Sequence, residues 1–408
     1  MEDIGRIPEE IVRKIAIEHL ENLDDFESFK EVCSNWRFAI KEVDFVFPST
    51  NTQLPWLMLA DSPTTPYRRF HSLTKSMFRK FDLPERDDDD DDHRRYFSSM
   101  GCVISASRRN RNINLFDPFS GRCIKLPSVK LDLLNDIDEF NPWNDNTYRV
   151  SFIKFILSAR PSESASYDDE LEIAMVYDKT QRLAFWRSGQ PNWMKPDVDL
   201  PWVFDLCFFK GQFYSVDHQA KVMAFGSDVT KKQPRLVANL MTQGLILENP
   251  MNMYIVPIEN KLVLIERSFK DLDEEPGFDE NSVYTYATQT FDVFELDLDD
   301  GKVKRVESIG NRAIFVGHGS TFLVEADNDE VQLQTSSSSS NKHKCGCKSN
   351  CIYFTDDWYE TYYVHKKGGG GDMGIYSLAQ RKVVDTFYQG PSQFDFVNPP
   401  IWVELPRR

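Results

Sequence analysis

Four side chains able to bind a metal fall within nine residues: His343, Cys345, Cys347 and Cys351. Thiolate and imidazole are the usual zinc ligands. Against that chemistry, the Cys-x-Cys spacing is tighter than the common zinc arrangement, five serines precede the group, and Cys351 opens an apolar run where a small thiol packs well without a further role. The sequence therefore predicts no metal and no cofactor. The acid pair Asp356 and Asp357 is of the type used in glycoside hydrolysis. Adjacent strand residues point to opposite faces, so the pair cannot flank one bond and is read as a turn. His318, between Gly317 and Gly319, is also read as a turn residue rather than a base. The run Gly368 to Gly371 lacks the Lys-Ser/Thr ending of a phosphate cradle and is read as a flexible loop. No nucleophile elbow, His-Glu-x-x-His or Walker loop occurs. The expectation is a protein that is not an enzyme. Trp143, Trp186, Trp193 and Trp358 stand in polar contexts that suit interface anchors, with core packing as the alternative.

At 408 residues the chain exceeds one ordinary core, so length favours a large repetitive domain or two domains of different kinds. Its 41% apolar and 13% aromatic content supplies ample material to bury, and 30 phenylalanines lean toward β structure. A formal net charge of −16 argues against nucleic-acid binding, which needs clustered Lys and Arg. Asp87 to Asp92 reads as a solvated loop, because a calcium site needs spaced ligands and a glycine turn. No signal peptide and no apolar run long enough to span a membrane is visible. Seven cysteines without a secretory signal read as reduced thiols, which places the protein in cytoplasm and/or nucleus.

The elements that carry function start at the amino end. Pro8, Glu9 and Glu10 predict a helix start. Ile11, Val12, Ile15 and Leu20 follow at roughly helical spacing, and the pattern breaks around Leu23. Asp24 with Glu27 offers a second start as a capping box. Phe26, Phe29, Cys33, Trp36 and Ile40 then recur on one helical face, with Ser34 able to start a further helix within the run. Two or three short helices bury too little to stand alone, so the unit must lean on a partner or on the rest of the chain.

From Ile7-Pro8-Glu9-Glu10-Ile11 through Leu23-Asp24-Asp25 to Val32-Cys33-Ser34-Asn35-Trp36-Arg37, this segment resembles an F-box; the departure is Ile7 where leucine is usual. The resemblance implies binding to a Skp-type adaptor, and through it to cullin and RING subunits. It assigns Ile7, Pro8, Ile11, Val12 and Ile15 to the adaptor-binding face, and Leu20, Leu23, Phe26, Phe29, Val32, Cys33 and Trp36 to the F-box core.

After Val43 the helical spacing gives way to short apolar runs separated by Gly, Asn, Asp and Pro, a β signature with a boundary near residue 48. Apolar pairs flank turns at Ser120-Gly121, Lys210-Gly211, Glu259-Asn260, Asp300-Gly301 and Gln380. Their recurrence, with long inserts at Asp87–Asp92, Arg160–Glu170 and Thr335–Lys344, predicts a β-propeller, since radial repetition arranges many antiparallel strands without long open edges. A large sandwich or two stacked β domains is the alternative, and the blade count is open. Trp56-Leu57-Met58-Leu59 and Ile401-Trp402-Val403 read as buried strands near the two ends, and their pairing would close the ring.

This second part resembles plant F-box proteins whose C-terminal region is known as domain of unknown function 295, often likened to kelch propellers. The phrases that carry the resemblance are Leu54 to Leu59, Phe116 to Arg122 with Ile124 to Pro127, Asn350 to Asp357, Asp372 to Tyr376 and Pro399 to Val403. The combined expectation is an α+β multidomain chain: an F-box at 1–47, then an all-β propeller-like domain at 48–408. It implies the substrate-recognition subunit of a Skp–cullin–F-box ubiquitin ligase, binding an unidentified target protein for ubiquitination and degradation. The alternatives are a non-degradative adaptor-binding scaffold and an enzyme with a site on the propeller face.

Overall fold

The computed structural model describes residues 7–20, 23–40, 54–61, 65, 67–83, 94–107, 110–130, 152–161, 171–178, 180–198, 200, 202–226, 233–246, 248, 250–271, 286–326, 346–358 and 367–405. Three short helices come first: α1 (Glu9–His19), α2 (Leu23–Glu31) and α3 (Ser34–Ala39). The strands follow, in chain order β1 (Trp56–Met58), β2 (Tyr67–Ser72), β3 (Met77–Asp82), β4 (Arg95–Ser99), β5 (Cys102–Ala106), β6 (Ile113–Phe116), β7 (Cys123–Leu126), β8 (Phe152–Leu157), β9 (Glu172–Tyr177) and β10 (Arg182–Arg187). Then come β11 (Val203–Phe209), β12 (Gln212–Asp217), β13 (Lys221–Phe225), β14 (Arg235–Asn239), β15 (Asn252–Ile258), β16 (Lys261–Asp271), β17 (Tyr286–Leu296) and β18 (Val303–Val306). The last are β19 (Arg312–Val316), β20 (Phe322–Glu325), β21 (Cys351–Phe354), β22 (Gly374–Ser377), β23 (Lys382–Asp385) and β24 (Ile401–Val403).

Among the described residues these strands form six sheets, the blades of a β-propeller. Four sheets have four strands; the β8–β10 sheet has three, extended by a single bridge from Phe185 to Met194. The β19–β23 sheet has five, because the hairpin of β19 and β20 lies inward of β21 and makes β19 parallel to β21. The ring closes as the sequence suggests. Trp56 pairs with Val403, Leu57 with Trp402 and Met58 with Ile401, antiparallel, so the first sheet runs β24–β1–β2–β3.

The apolar runs are continuous rather than alternating because each inner strand is covered on both faces. Six apolar cores lie between neighbouring blades. One joins Phe97, Ile104 and Leu115 to Phe155, Met175 and Trp186; another joins Tyr254, Ile265 and Phe291 to Ile314, Ile352 and Phe354. In β1 the alternation sends Trp56 and Met58 toward one neighbouring blade and Leu57 toward the other.

Charged residues inside these apolar strands meet on the propeller axis. Asp205 of β11, fully buried, accepts hydrogen bonds from Lys154 Nζ of β8 (2.8 Å), Ile255 N of β15 (3.0 Å) and Thr321 Oγ1 just before β20 (2.7 Å). One carboxylate thus pins four blades. The loop leading to Thr321 reaches across the axis: Ser320 N donates to Ser98 O of β4 (2.8 Å), and Ser98 Oγ donates to Trp402 O of β24. Gly319 is required there, since a Cβ would collide with Ser98 Oγ. His318 does lie in this turn, but it is buried on the axis rather than exposed. Replacing Asp205 by Ala leaves the Lys154 ammonium buried without a counter-charge, so urea denaturation should show a loss of about 3–5 kcal/mol. Asp205→Ala combined with Lys154→Met should recover a substantial part of it.

Candidate functional site

The helical head is held against the first blade. Pro8 occupies the cap position of α1 and its carbonyl accepts from Ile11 N (3.0 Å) and Val12 N (3.1 Å). Arg13 Nε donates to Ala39 O (2.6 Å), tying α1 to the end of α3. Arg79 of β3 reaches Glu31 Oε1 and Ser28 Oγ of α2, both at 2.8 Å, and Lys75 pairs with Asp25. Val12, Ala16, Phe26, Phe29 and Ile40 join a buried cluster with Trp56, Met58 and Phe70. The head therefore leans on its own chain.

The helix boundaries differ slightly from those read in the sequence. The second helix starts at Leu23, so Asp24 lies inside its first turn, and Cys33 rather than Ser34 takes the cap position of α3 without a side-chain cap bond. The single face of Phe26, Phe29, Cys33, Trp36 and Ile40 is divided between α2 and α3, with Phe29 and Trp36 rings 4.3 Å apart across the break.

Docking leaves four large apolar side chains of the head uncovered. Ile11 is 47% exposed, Ile17 66%, Val32 48% and Phe38 68%. Two assignments change accordingly. Val12, expected on the adaptor-binding face, is buried, because it points inward one position round the helix from Ile11. Val32, expected in the F-box core, is exposed because the α2–α3 break turns it outward, and Cys33 is only half-buried. Phe26 and Phe29 are buried in that cluster, and Leu20 and Trp36 pack against it while partly buried. Pro8 is exposed, whereas Ile7 and Ile15 are partly covered by the same cluster. The side chain of Leu23 lies outside the described residues, as do the domain boundary near residue 48, Asp87–Asp92 and Thr335–Lys344.

Asp356 and Asp357, read as a turn, instead lie between the fifth and sixth blades, Asp356 buried and Asp357 partly so, with its side chain 6% exposed. Arg267 of β16, fully buried, donates to Asp357 Oδ1 (2.8 Å), Asp372 Oδ2 (2.9 Å), Tyr254 Oη (3.0 Å), Thr288 Oγ1 (2.9 Å) and Thr355 O (3.1 Å). Burial alone would lower its pKa, but Tyr254, Asp372 and Asp357 outweigh that and hold the guanidinium well above its ordinary value. Asp356 Oδ2 accepts from Gly370 N (2.8 Å), Gly371 N (3.1 Å) and Asp372 N (3.4 Å), while Tyr286 Oη donates to Oδ1. The glycine run is thus a built nest of amides rather than a flexible loop. Its anion is the chain's own carboxylate.

Arg267, Asp205 and Lys154 were not singled out from sequence. Asp205 and Lys154 are each the lone charge of an apolar strand, which is the signature of a buried ion pair, whereas Arg267 follows Glu266 in a strand with several charges and carries no such mark. His318 is kept neutral, its pKa pushed well down by burial and by the charges of Arg95, Lys154 and Arg267. Trp186 and Trp193 are buried core residues, each with its indole N–H on a carbonyl, Gln190 O and Pro127 O, at 2.8 Å. They pack between blades because their polar flanks are turns that fold over them. Trp358 is half-buried against Phe269 and Tyr286, with ring centroids 4.7 and 4.9 Å away. Trp143, His343 and Cys345 lie outside the described residues; Cys347 and Cys351 are buried in the apolar core between the sixth blade and the first.

Two outcomes follow from the acid–amide latch. Gly370 has φ +111°, and a Cβ there would collide with the Gln393 carbonyl. Gly370→Ala should therefore lower stability by about 2 kcal/mol or more, measurable by thermal and urea unfolding. Burial, then the charge of Asp372, pushes the Asp356 pKa from 3.8 up to about 6, against the pull of Tyr286 and Gly370. The folded chain then binds this proton more tightly than the unfolded chain. The resulting stabilisation is full below pH 4 and is lost as pH rises through about 6. The stability of the parent relative to Asp356→Asn should fall by roughly 2–3 kcal/mol between pH 4 and 6.5.

Residues 70–377 match the sequence model of a family described as KIB1-4 beta-propeller. A protein of Arabidopsis thaliana that bears the name "Putative F-box protein" is 23% identical over 402 residues, covering 93% of this chain and 97% of that one. Among solved structures, a protein of unknown function from Bacteroides caccae is 9% identical and matches 86% of this chain and 99% of its own, with a TM-score of 0.39. A calcium-binding protein, regucalcin, from Agrobacterium tumefaciens is 12% identical over 59% of this chain and 66% of its own, with a TM-score of 0.31. The propeller assignment rests on the strand pairing and the family match, not on these two structures. No helix among the described residues is long and apolar enough to cross a membrane.

Proposed function

The chain belongs to the KIB1-4 beta-propeller family, and on that premise we propose that it is the substrate-recognition subunit of a Skp–cullin–F-box ubiquitin ligase. The head takes the Skp-type adaptor and the propeller takes the target. The observation that carries this reading is the set of large apolar side chains that the small head leaves uncovered. Ile11, Ile17, Val32 and Phe38 stay in water although the head is already docked on the first blade, and large apolar side chains gathered on a small unit mark a binding surface. The likeness to a plant protein named for an F-box, over 93% of this chain and 97% of that one, supports it.

On this reading the chain contributes no catalytic group. Its contribution is position: fixing the target near the ubiquitin-charged enzyme raises the effective concentration of target lysines. Rigidity between head and propeller serves that task, and the contacts of Arg79 and Lys75 with α2 supply it. The satisfied state of Asp356, Asp357 and Asp372 fits a structural role for the acids rather than hydrolysis.

Co-expression with a Skp-type adaptor followed by size-exclusion chromatography should give a 1:1 complex. Ile11→Asp with Ile17→Asp should abolish it while the melting temperature stays within a few degrees of the parent, since both residues are exposed. Unchanged adaptor capture by that double variant, or no capture by the parent, would reject the proposal.

A further inference from the structure

A groove of about 530 Å³ opens on the sixth blade where β21 begins and the β22–β23 hairpin turns. The strand pairing builds it. Cys351 of β21 stands opposite Ser377 of β22, and Ser377 opposite Lys382 of β23, so the three side chains form one row on the same face of the sheet. Val384 continues the lining along β23; Lys348 and Ser349 add to it from the lead-in to β21, and Gln380 from the hairpin turn.

Its walls are held by the fold. Lys348 N donates to Tyr353 Oη (2.9 Å), Asn350 N to Arg312 O (2.8 Å) and Leu378 N to Asn350 O (3.1 Å), while Asn350 Oδ1 accepts from Ile309 N (3.0 Å). The lead-in to β21 is thereby tied both to the start of β19 and to the end of β22, and a site preformed in this way loses little on being filled.

The polar groups of the groove are mostly donors. Ser377 is 7% exposed, and its Oγ accepts from Gln380 N (3.2 Å), which leaves its O–H to donate. Lys382 is exposed and has no ion-pair partner among the described residues. The Lys348 ammonium, by contrast, is engaged by Asp385 Oδ2 (2.6 Å), and the other oxygen of that carboxylate accepts from Thr386 N (2.9 Å). No acidic side chain lines the groove among the described residues. One uncompensated ammonium therefore faces it, with the Ser377 hydroxyl in the same row. Beside them Cys351 and Val384 make an apolar patch; burial pushes the Cys351 thiol up, which keeps it uncharged. One free cation with neutral donors matches a singly charged oxyanion, whereas a phosphate dianion calls for a second free cation.

We propose that this groove binds a carboxylate joined to an apolar group, with the carboxylate on Lys382 and Ser377 and the apolar group over Cys351 and Val384. Two sources share that chemistry: the carboxyl end of a protein chain whose last residue is apolar, and a small free acid. The site belongs to the propeller and does not rest on the receptor reading.

The test uses the full-length chain and the peptide Gly-Ser-Gly-Ser-Ala-Val, labelled with fluorescein at its amino end and carrying either a free carboxylate or an amide at its carboxyl end. Anisotropy is read at about 0.05 M salt, where screening is weak. The carboxylate peptide should bind at least about tenfold more tightly than the amide. Lys382→Met, which keeps the stem and removes the charge, should weaken it about tenfold, and Ser377→Ala about threefold. Lys302→Met, at an exposed lysine of the β17–β18 turn, should leave it unchanged. Each variant is checked by its melting curve, and Lys382→Arg should restore most of the binding. Unlabelled N-acetylvaline separates the two sources: displacement near the peptide's own Kd assigns a small acid, and displacement only by unlabelled carboxylate peptide assigns a chain end. Equal binding of the carboxylate and amide peptides, no binding of either up to about 1 mM, or unchanged binding by folded Lys382→Met overturns the proposal.

Discussion

The Asp205 carboxylate on the axis is the constraint on which the rest of the structure depends. A propeller has no single core; it has six separate apolar seams between blades, and each seam fixes only two neighbours. Something must set the blades' common angle. Here Asp205 accepts from the second-next blade as readily as from its neighbours, and Ser98 and Ser320 carry the same tie across to the first and second blades. Burying these charges is costly in isolation and becomes tolerable because every lone pair finds a donor.

A second polar centre works in the same way at one edge of the ring. Arg267 would be an untenable charge among Phe269, Phe291 and Phe354, yet its guanidinium lies 4.8 to 5.6 Å from their ring centroids and is neutralised by Asp357 and Asp372. Asp372 continues into the glycine segment whose amides hold Asp356. Acids that look catalytic in one dimension are therefore partners of one another in three. Under the receptor reading proposed above, recognition would fall to the outer surface, with the buried carboxylates holding the loops beside it.

The head adds the other half of the molecule's logic. Three helices too small to fold alone borrow the flank of the closing blade, where Trp56, Met58 and Phe70 complete their core. Because the same blade contains the pairing of β1 with β24, a single element both locks the ring and seats the helices. The orientation of the head relative to the propeller is then set by the propeller's own closure.

Much of this was legible in the residues. Period and punctuation found the helices at 9–39 and the hairpins at β6–β7, β11–β12, β15–β16, β17–β18 and β22–β23, because turn chemistry and apolar spacing are local properties. Even ring closure was readable, since Trp56-Leu57-Met58 and Ile401-Trp402-Val403 are apolar strands with no local partner. Tertiary structure decided the rest. Six blades rather than another number, the parallel placement of β19 beside β21, Val12 buried while Val32 is exposed, and Trp186 and Trp193 inside rather than outside all depend on which face a neighbour covers. Composition says a side chain prefers burial or water, but only the packed neighbour says which it gets. The same reason hid the partners of Asp205 and Arg267: a charge in an apolar stretch announces that a counter-charge exists, while the identity of that counter-charge, 51 to 105 residues away, is fixed only when the blades meet.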